Sequence, residues 1–482
     1  MRACSALLGC LLGASQCAEA QDTWRRTYGG FGPDRAAAVR AVSDGGYIVV
    51  GSTGSFGTSG DGYAIRLDEE GTPLWSRFLG TGSADAFNDV QPIADGGFIL
   101  AGNTSSPGTG YDGWLLRLSD QGQVEWQVTL GTAEWDFLNA LTIAPDGIYA
   151  AGETFGGPTG DAEAWVVKVD PAGAVVWQRT YAGSGAQRAE GITAAMDGGC
   201  AFAGARAGSN GRSDALMVRI DADGDPLWEA QVATDSAEWA TGIIADAGGG
   251  FVLCGTTRAF SPFTEMLLAR VDGQGGSDWV RHIGQLADWE AHTLCQRSNG
   301  GFAVAGYTKA FGVGGKDMYL LLTNSMGAFD LGTTYGSVAD DEALGVALAP
   351  DGGYAVAGYT DGFGPGSQAV FVVKSGPDAL TASEAVVVFN DPVSVPEPGA
   401  SRGFSIGPNP ALAGQPITVF APAGPNAALE LLDAAGRRVA VQHAHPSAQH
   451  TFSVQEPGIY SLRLHTAQGA SSAITVVVLG HD

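Results

Sequence analysis

Hydrophobic and polar residues alternate along residues 22–375 in short runs separated by turn residues. One unit contains FNDVQPIA (87–94), GGFILAGNT (96–104), GWLLRLS (113–119) and VEWQVTL (124–130). These runs are rich in β-branched and aromatic residues, and no 11-residue window carries a helical stripe, so they predict strands. The second run is apolar at consecutive positions, as in a strand buried on both faces. The unit is predicted to be an up-and-down, four-stranded antiparallel sheet.

Two turn signatures separate the runs. Asp44-Gly45-Gly46 lies between the first and second runs, and Asp68 to Gly71 lies between the third and fourth. Both recur in later units, and Asp-Gly supplies the positive φ that a tight hairpin requires. A basic residue near the end of the third run, such as Arg66, is predicted to form a structural ion pair or to stack on the tryptophan of the fourth run.

The unit recurs every 51 residues, as the tryptophans of the fourth run show: Trp24, Trp75, Trp126, Trp177, Trp228 and Trp279. A period of this length is typical of propellers and solenoids. The chain begins with a fourth-run segment (23–29), and the seventh unit ends after its third run (371–375). We therefore expect an all-β fold in which residues 21–375 form a seven-bladed β-propeller closed by the N-terminal strand.

The repeated D-G-G-aromatic run and the G-x-x-x-W turn resemble those of bacterial propeller repeats, a family whose members mostly lack an assigned activity. The segment Asp68 to Trp75 is also similar to blades of pyrroloquinoline-quinone dehydrogenases. Those rings normally have eight blades, and many carry a vicinal cysteine pair that this sequence lacks.

The first 20 residues are predicted to be a secretory signal peptide, with an apolar stretch followed by Ala18-Glu19-Ala20. A lipoprotein signal that uses Cys10 or Cys17 is the alternative. No other segment is apolar enough for a transmembrane helix, so none is expected in the mature chain. The remaining cysteines, Cys200, Cys254 and Cys295, are predicted to be small buried apolar residues, with a Cys254–Cys295 disulfide as the alternative.

A Pro-bearing linker is expected at residues 376–403, followed by a small Ig-like β-sandwich at 404–482. Three motifs occur there in order: P-N-P, L-x-D-x-x-G-R-x-V and G-x-Y-x-x-x-L. Their residues are Pro408, Asn409, Pro410, Asp433, Gly436, Arg437, Gly458 and Tyr460. The series resembles the type A C-terminal sorting domain of type IX secretion substrates. The resemblance implies the type IX secretion machinery as a partner, with release from the cell or attachment to its outer surface. The final strand, Ala473 to Val476, lacks the lysine usual in that family; an unrelated accessory sandwich is the alternative.

The charge balance restricts the partners. The chain has 51 Asp and Glu against 25 Lys and Arg, a net charge of -26. Such acidity argues against nucleic acid or an anionic membrane surface as a ligand. Almost all of the imbalance falls on the propeller repeats.

Ligand contacts are expected on the face that carries the long loops between the second and third strands. One position at the start of each first strand, called here the rim position, is mostly acidic: Asp34, Asp85, Asp136, Gln187, Glu238, Trp289 and Asp341. A ring of carboxylates could bind calcium, whereas the structural interpretation is that each residue caps a loop. Tryptophans occur beside or at this position in only some units. The candidate ligand-binding residues are therefore Trp135, Asp136, Glu238, Trp239, Trp289 and Asp341.

These patterns predict a non-catalytic binding or adhesion module for a glycan or protein, with no cofactor other than calcium. The sequence has no G-x-S-x-G elbow, H-E-x-x-H pair or phosphate loop, and its propeller repeats contain only His282 and His292. The alternative is a polysaccharide hydrolase or lyase that uses Asp136, Glu238 or Asp341. A third hypothesis is an architectural component of the cell surface.

Overall fold

The computed structural model describes residues 23–57, 60–80, 84–106, 110–183, 185–208, 211–381 and 386–389, and then 405–407, 411–420, 427–433, 437–444, 449–465 and 471–479. The chain divides into two compact units, Met1–Ser394 and Val395–Asp482. Strands and turns make up the described residues, which contain no helix and hence none that could span a membrane. The predicted signal peptide (1–20) lies outside these ranges.

The first unit consists of repeated antiparallel sheets, preceded by the short strand β1 (Trp24–Tyr28). The first three sheets are β2 (Asp34–Ala41), β3 (Tyr47–Thr53), β4 (Asp61–Leu67), β5 (Pro73–Leu79); β6 (Asp85–Pro92), β7 (Phe98–Ser106), β8 (Gly110–Leu118), β9 (Val124–Leu130); and β10 (Asp136–Ala144), β11 (Gly147–Thr154), β12 (Glu163–Val169), β13 (Val175–Tyr181). The next two are β14 (Gln187–Ala194), β15 (Cys200–Ala207), β16 (Ser213–Ile220), β17 (Pro226–Val232); and β18 (Glu238–Ala245), β19 (Phe251–Thr257), β20 (Glu265–Val271), β21 (Ser277–Ile283).

The sixth sheet is β22 (Trp289–Gln296), β23 (Phe302–Thr308), β24 (Asp317–Thr323) and β25 (Phe329–Tyr335). The last comprises β26 (Asp341–Leu348), β27 (Tyr354–Thr360), β28 (Ala369–Ser375), then β1 and β29 (Val387–Phe389). This all-β series of four-stranded antiparallel sheets has the architecture of a β-propeller, as the repeat predicted. The second strands are almost wholly buried, which agrees with their continuous apolar runs.

The two predicted turns are confirmed. Gly45 has φ +96° and its N–H donates to Val42 O at 3.0 Å, while Gly71 has φ +78° and donates to Asp68 O at 3.2 Å. The basic residue of each third strand pairs with the aspartate of the first turn. The pairs are Arg66–Asp44, Arg117–Asp95, Lys168–Asp146, Arg219–Asp197, Arg270–Asp246 and Lys374–Asp351. The expected structural ion pair therefore forms within each of these sheets.

The sixth sheet is the exception, because Leu322 stands where the other sheets carry the basic residue. Arg297 supplies the positive charge there. Its guanidinium lies 2.9 Å from Asp330 Oδ2 and donates to Thr323 O at 2.8 Å and to Tyr354 Oη at 3.0 Å. Asp330 itself occupies the place that tryptophan holds in other units. The Arg297–Asp330 pair thus stands in this sheet where the others have the basic residue of the third strand and its aspartate.

The repeated tryptophans form hydrogen bonds between neighbouring sheets. In five of them the indole N–H donates to a main-chain carbonyl 45 residues further along: Trp24 to Glu69, Trp75 to Asp120, Trp126 to Pro171, Trp177 to Ala222 and Trp228 to Gly273. Each of these rings also lies against the positive-φ glycine of the neighbouring turn, such as Gly122 beside Trp75. The common period of tryptophan and glycine thus reflects contact between sheets as well as hairpin geometry.

The first strand completes the last sheet. β1 pairs antiparallel with β28, with Trp24 opposite Lys374 and Tyr28 opposite Val370. One apolar cluster contains side chains of the first sheet (Val39, Tyr63) and of the last (Val372). Within the stretch predicted to be a linker, β29 adds a fifth, parallel strand outside β1, and the Phe389 ring stacks on Tyr28 at 5.5 Å.

The second unit has two sheets among its described residues. Its strands are β30 (Ser405–Gly407), β31 (Ala411–Leu412), β32 (Pro416–Phe420), β33 (Ala427–Asp433), β34 (Arg438–Ala444), β35 (Gln449–Ser453), β36 (Gly458–His465) and β37 (Ser471–Leu479). The sheet orders are β30-β32-β35 and β31-β37-β36-β33-β34. Of the sorting-motif residues, Pro408, Asn409, Pro410 and Gly436 lie outside the described residues.

Candidate functional site

The rim residues are all buried, with exposed fractions of 0 to 5%. Asp34 shows what this position does: its carboxylate accepts hydrogen bonds from Gly30 N at 2.8 Å, Thr53 Oγ1 at 2.5 Å and Ser55 Oγ at 2.6 Å. It therefore ties the loop from the preceding sheet to the loop that follows the second strand. A buried carboxylate is stable only with such partners.

The three rim residues proposed above as catalytic carboxylates have the same role. Each accepts a main-chain N–H four residues earlier: Asp136 from Thr132 at 2.6 Å, Glu238 from Thr234 at 3.0 Å and Asp341 from Ser337 at 2.6 Å. Each also accepts the hydroxyl of that same residue. These bonds shape the loops, while Oδ1 of Asp136 is buried without a hydrogen-bond partner among the described residues. Burial raises the pKa of Asp341, an effect that the Ser337 hydrogen bonds oppose.

A second row of carboxylates faces the rim residues, and sequence analysis missed it. These residues lie at or near the start of third strands, at the same period within one residue: Asp61, Asp112, Glu163, Asp214, Glu265 and Asp317. Asp61 Oδ1 and Asp85 Oδ2 flank Gly80, at 2.2 and 2.4 Å from where a Cβ would lie. Burial, and then the nearby charge of Asp136, raise the pKa of Asp112. The 51-residue spacing of these third-strand carboxylates is the sequence signal that could have revealed them, as it revealed the rim residues.

Trp135 is the most accessible of the predicted ligand-binding residues, with 54% of its surface exposed. Its indole makes edge contacts with Tyr111 at 5.9 Å and with Phe137 at 6.3 Å, and those two rings lie 5.4 Å apart. The indole thus lies between the second and third sheets in a T-shaped arrangement with both rings, and about half of its surface is open to solvent. We call these three residues the aromatic platform.

The other two tryptophans differ from Trp135. Trp289 is 5% exposed and packs edge-on against Tyr319 at 4.8 Å, with its N–H bonded to Gln285 O at 3.0 Å. Trp239 is half-buried, and the Arg258 guanidinium lies 5.7 Å from its ring centre. Within the described part of the chain, no side-chain hydrogen bond or ring contact joins any two of the six candidate residues. They belong to four different sheets.

A cavity of about 630 Å³ lies between the first strands of all seven sheets. Each of these strands has a β-bulge whose unpaired residue lies between two shifted pairs: Ala37, Asn88, Asn139, Glu190, Thr241, His292 and Leu344. Several bulge side chains donate to the next sheet. Asn88 binds Leu138 O at 2.8 Å and Thr241 binds Ala291 O at 2.8 Å. The bulges direct polar side chains between the sheets, where they link neighbours.

The bulge residue His292 belongs to a polar cluster that has no counterpart in the other sheets. Glu342 lies 2.8 Å from His292 Nε2 and 2.8 Å from Lys316 Nζ, and accepts the Tyr359 hydroxyl at 2.8 Å. Although burial opposes ionisation, these donors lower the pKa of Glu342 well below its usual range. A carboxylate so fully engaged is an anchor between the sixth and seventh sheets rather than a free base.

No group of three or more His, Cys, Asp or Glu in the described residues is placed to hold a metal ion. The three cysteines are free thiols, so the alternative Cys254–Cys295 disulfide is not formed in this structure. Burial raises the pKa of Cys254 and of Cys295 to about 12. Such thiols are unreactive at neutral pH.

Neither a protein-family model nor a curated protein matches this chain. Solved structures that resemble it include a protein of unknown function from Dyadobacter fermentans, with 12% identity, TM-score 0.42 and coverage of 73% of this chain and 97% of that one. The Neurospora crassa Pan2 WD40 domain has 10% identity and a TM-score of 0.37, with coverage of 57% of this chain and 86% of that one. Chaetomium thermophilum Sqt1 has 14% identity and a TM-score of 0.41, with coverage of 83% of this chain and 96% of that one. With TM-scores this low, the assignment to a propeller rests on the strand topology.

Proposed function

We propose that residues 21–375 form a closed seven-bladed β-propeller that is exported and acts as a non-catalytic binding module for a glycan. Three observations support the ring. β1 pairs with β28, the first and last sheets share an apolar cluster, and first strands from all seven sheets line one cavity. The N-terminal strand supplies the fourth strand of the last sheet, which would otherwise end at β28.

The aromatic platform carries the proposal for the ligand. Trp135 is 54% exposed and is flanked by two aromatic rings, and an accessible indole of this kind can stack on the apolar face of a sugar ring. Because Tyr111 and Phe137 hold the indole in place, little side-chain entropy is lost on binding. A protein anchored on Trp135 is the alternative outcome of the experiment below.

The rim carboxylates support a binding role over a catalytic one. Asp136, Glu238 and Asp341 are 0% exposed, and each is bonded to its own loop. A glycosidase needs two carboxylates that reach the same glycosidic bond. The hydrolase or lyase alternative thus stays a prediction, because none of these three carboxylates is exposed to a substrate.

Export through the second unit is supported by local structure at the described motif residues. Asp433 accepts the N–H of Arg437 at 2.8 Å and its Nε–H at 2.7 Å, which closes the hairpin between β33 and β34. Tyr460 is 7% exposed and its hydroxyl donates to Glu456 O at 2.9 Å. We expect a strain that expresses the chain without residues 404–482 to retain it inside the cell envelope, and cell fractionation followed by immunoblotting would test this.

Glycan-array binding of the purified protein tests the ligand. We expect Trp135→Ala to abolish binding, while Phe329→Ala leaves it unchanged. Phe329 is a matched control because it is 58% exposed but lies on β25, an outer strand. Binding that survives Trp135→Ala would reject the platform. A protein captured from the cell surface through Trp135, with no glycan bound, would replace the glycan by a protein ligand.

A further inference from the structure

A second cavity of about 630 Å³ lies between the first and second sheets and is separate from the cavity between the first strands. Its lining includes Arg35, Ser52, Phe56, Asn103, Tyr111 and Gln368. We call it the Arg35 cavity. Its volume is in the range of small-molecule sites. Tyr111 lines the cavity and also contacts Trp135, so this residue belongs to both the cavity lining and the aromatic platform.

Arg35 differs from most basic residues of the repeats, because no carboxylate among the described residues forms an ion pair with it. Its guanidinium lies over the Tyr359 ring, 4.4 Å from the centroid, and the residue is exposed. The Tyr359 hydroxyl is bonded to Glu342 and holds that ring in place. A guanidinium fixed by stacking keeps its planar fork of N–H donors free for a carboxylate.

The remaining polar groups of the Arg35 cavity are also donors. Ser52 lies opposite Arg35 on the neighbouring strand, and Asn103 lies opposite Ala86. The Oδ1 atom of Asn103 accepts a hydrogen bond from the Asn88 amide. The NH₂ group of Asn103 is therefore available as a donor. Among the described residues, the hydroxyls of Ser52 and Tyr111 have no hydrogen-bond partner.

The acidic group nearest these donors is turned away. Asp85 is the acidic residue among those that line the cavity, and it is 3% exposed. Its Oδ1 accepts the N–H of Ser105 at 3.3 Å. Asp361 accepts the amide of Gln368 at 2.9 Å. Among the described residues that line the cavity, the accessible groups are therefore the Arg35 guanidinium and neutral hydrogen-bonding groups, within a chain that is otherwise strongly acidic.

We infer that the Arg35 cavity binds the carboxylate of an acidic sugar while an adjoining sugar stacks on Trp135. This rests on the proposed glycan-binding function and specifies its ligand class. Uronic acids and sialic acids share the required chemistry, a carboxylate on a hydroxylated ring. Arg35 would bind the carboxylate through two parallel hydrogen bonds, and Ser52 and Asn103 would donate to ring oxygens.

Isothermal titration calorimetry with paired probes tests this inference. One pair is tetragalacturonate and its methyl ester, and the other is sialyllactose and lactose, which distinguishes the two sources of the carboxylate. We expect at least one acidic probe to bind about tenfold or more tightly than its neutral counterpart, the scale of one charge-assisted hydrogen-bonded pair. Arg35→Gln should remove that preference, and Arg35→Lys should keep only part of it.

Arg179→Gln is the control, since Arg179 on β13 also lacks a carboxylate partner but lies outside the site. It should leave the preference unchanged. Equal binding of acidic and neutral probes by the wild type, or an unchanged preference in Arg35→Gln, would overturn the inference while glycan binding stands. If no glycan binds at all, the proposed function fails and the inference with it. Circular dichroism of each variant shows whether it is folded.

Discussion

The contact between Trp75 and the neighbouring turn allows a quantitative test of how adjacent sheets are held together. Gly122 has φ +73°, and a Cβ added there would lie 2.9 Å from Cε3 of Trp75. Trp75 is 4% exposed and donates to Asp120 O at 2.8 Å, so its ring has little room to move. Arg77 also donates to Gly122 O at 2.8 Å. Gly122→Ala therefore introduces a methyl group into a packed contact.

Gly160 provides a matched control. Its φ is +75°, nearly the same as that of Gly122, but a Cβ there meets nothing within 4 Å. Both substitutions place an L-residue in the left-handed region, at a cost of about 1 kcal/mol. Only Gly122→Ala adds an overpacked contact, which typically costs about 1–3 kcal/mol more. We expect losses in the free energy of unfolding of about 1 kcal/mol for Gly160→Ala and about 2–4 kcal/mol for Gly122→Ala.

Urea unfolding followed by far-ultraviolet circular dichroism measures both losses. The contact can be isolated by combining Gly122→Ala with Trp75→Leu, because the smaller side chain leaves space for the added methyl group. The cost of Gly122→Ala should then fall to that of the control, giving a coupling energy of about 1–3 kcal/mol. Equal destabilisation by Gly122→Ala and Gly160→Ala would refute the idea that the repeated tryptophans and turn glycines share a period because they pack against each other between sheets.

Three further predictions concern carboxylates. Asp136→Ala should lower the free energy of unfolding by about 2 kcal/mol, because it removes the charged acceptor of two hydrogen bonds from Thr132, whereas Glu134→Ala should change it by less than about 0.5 kcal/mol; comparable values would contradict the capping role. Because burial and the charge of Asp136 raise the pKa of Asp112 above 3.8, its ionisation costs stability as the pH rises. Asp112→Asn should therefore be more stable than the wild type at pH 7, and urea midpoints should converge below pH 3.8. The hydrogen bond from Arg219 lowers the pKa of Asp197, so its contribution is present above pH 3.8 and is lost as the pH falls through the folded-state pKa. Asp197→Asn should be less stable than the wild type only above that range, and a constant difference at all pH values would argue against the ion pair.

The repeat, the turns and the ion-pair row could be predicted from sequence because each depends on local chemistry. Turn glycines with positive φ recur along the repeats, and a basic residue near the end of the third strand occurs in six of the seven units, with Leu322 as the exception. The boundaries were less certain: the predicted first run of the second unit (87–94) begins two residues after β6 (Asp85–Pro92). The Asp residue that pairs with Arg66 was also not identified, because Asp44 lies in the turn between β2 and β3, 22 residues earlier in the chain.

The candidate site depended on contacts that sequence spacing does not encode. Trp135 and Trp289 have similar sequence settings, yet one is 54% exposed and the other 5%. The difference arises because Tyr319 and Phe311 pack against Trp289, whereas Trp135 stands between Tyr111 and Phe137 with one face open. Sequence alone determined that this chain repeats a four-stranded β-unit with acidic residues at one recurrent position. The tertiary structure decided which of those carboxylates are used in capping loops and which aromatic and basic groups remain accessible, because burial is set by neighbouring sheets that are distant in sequence.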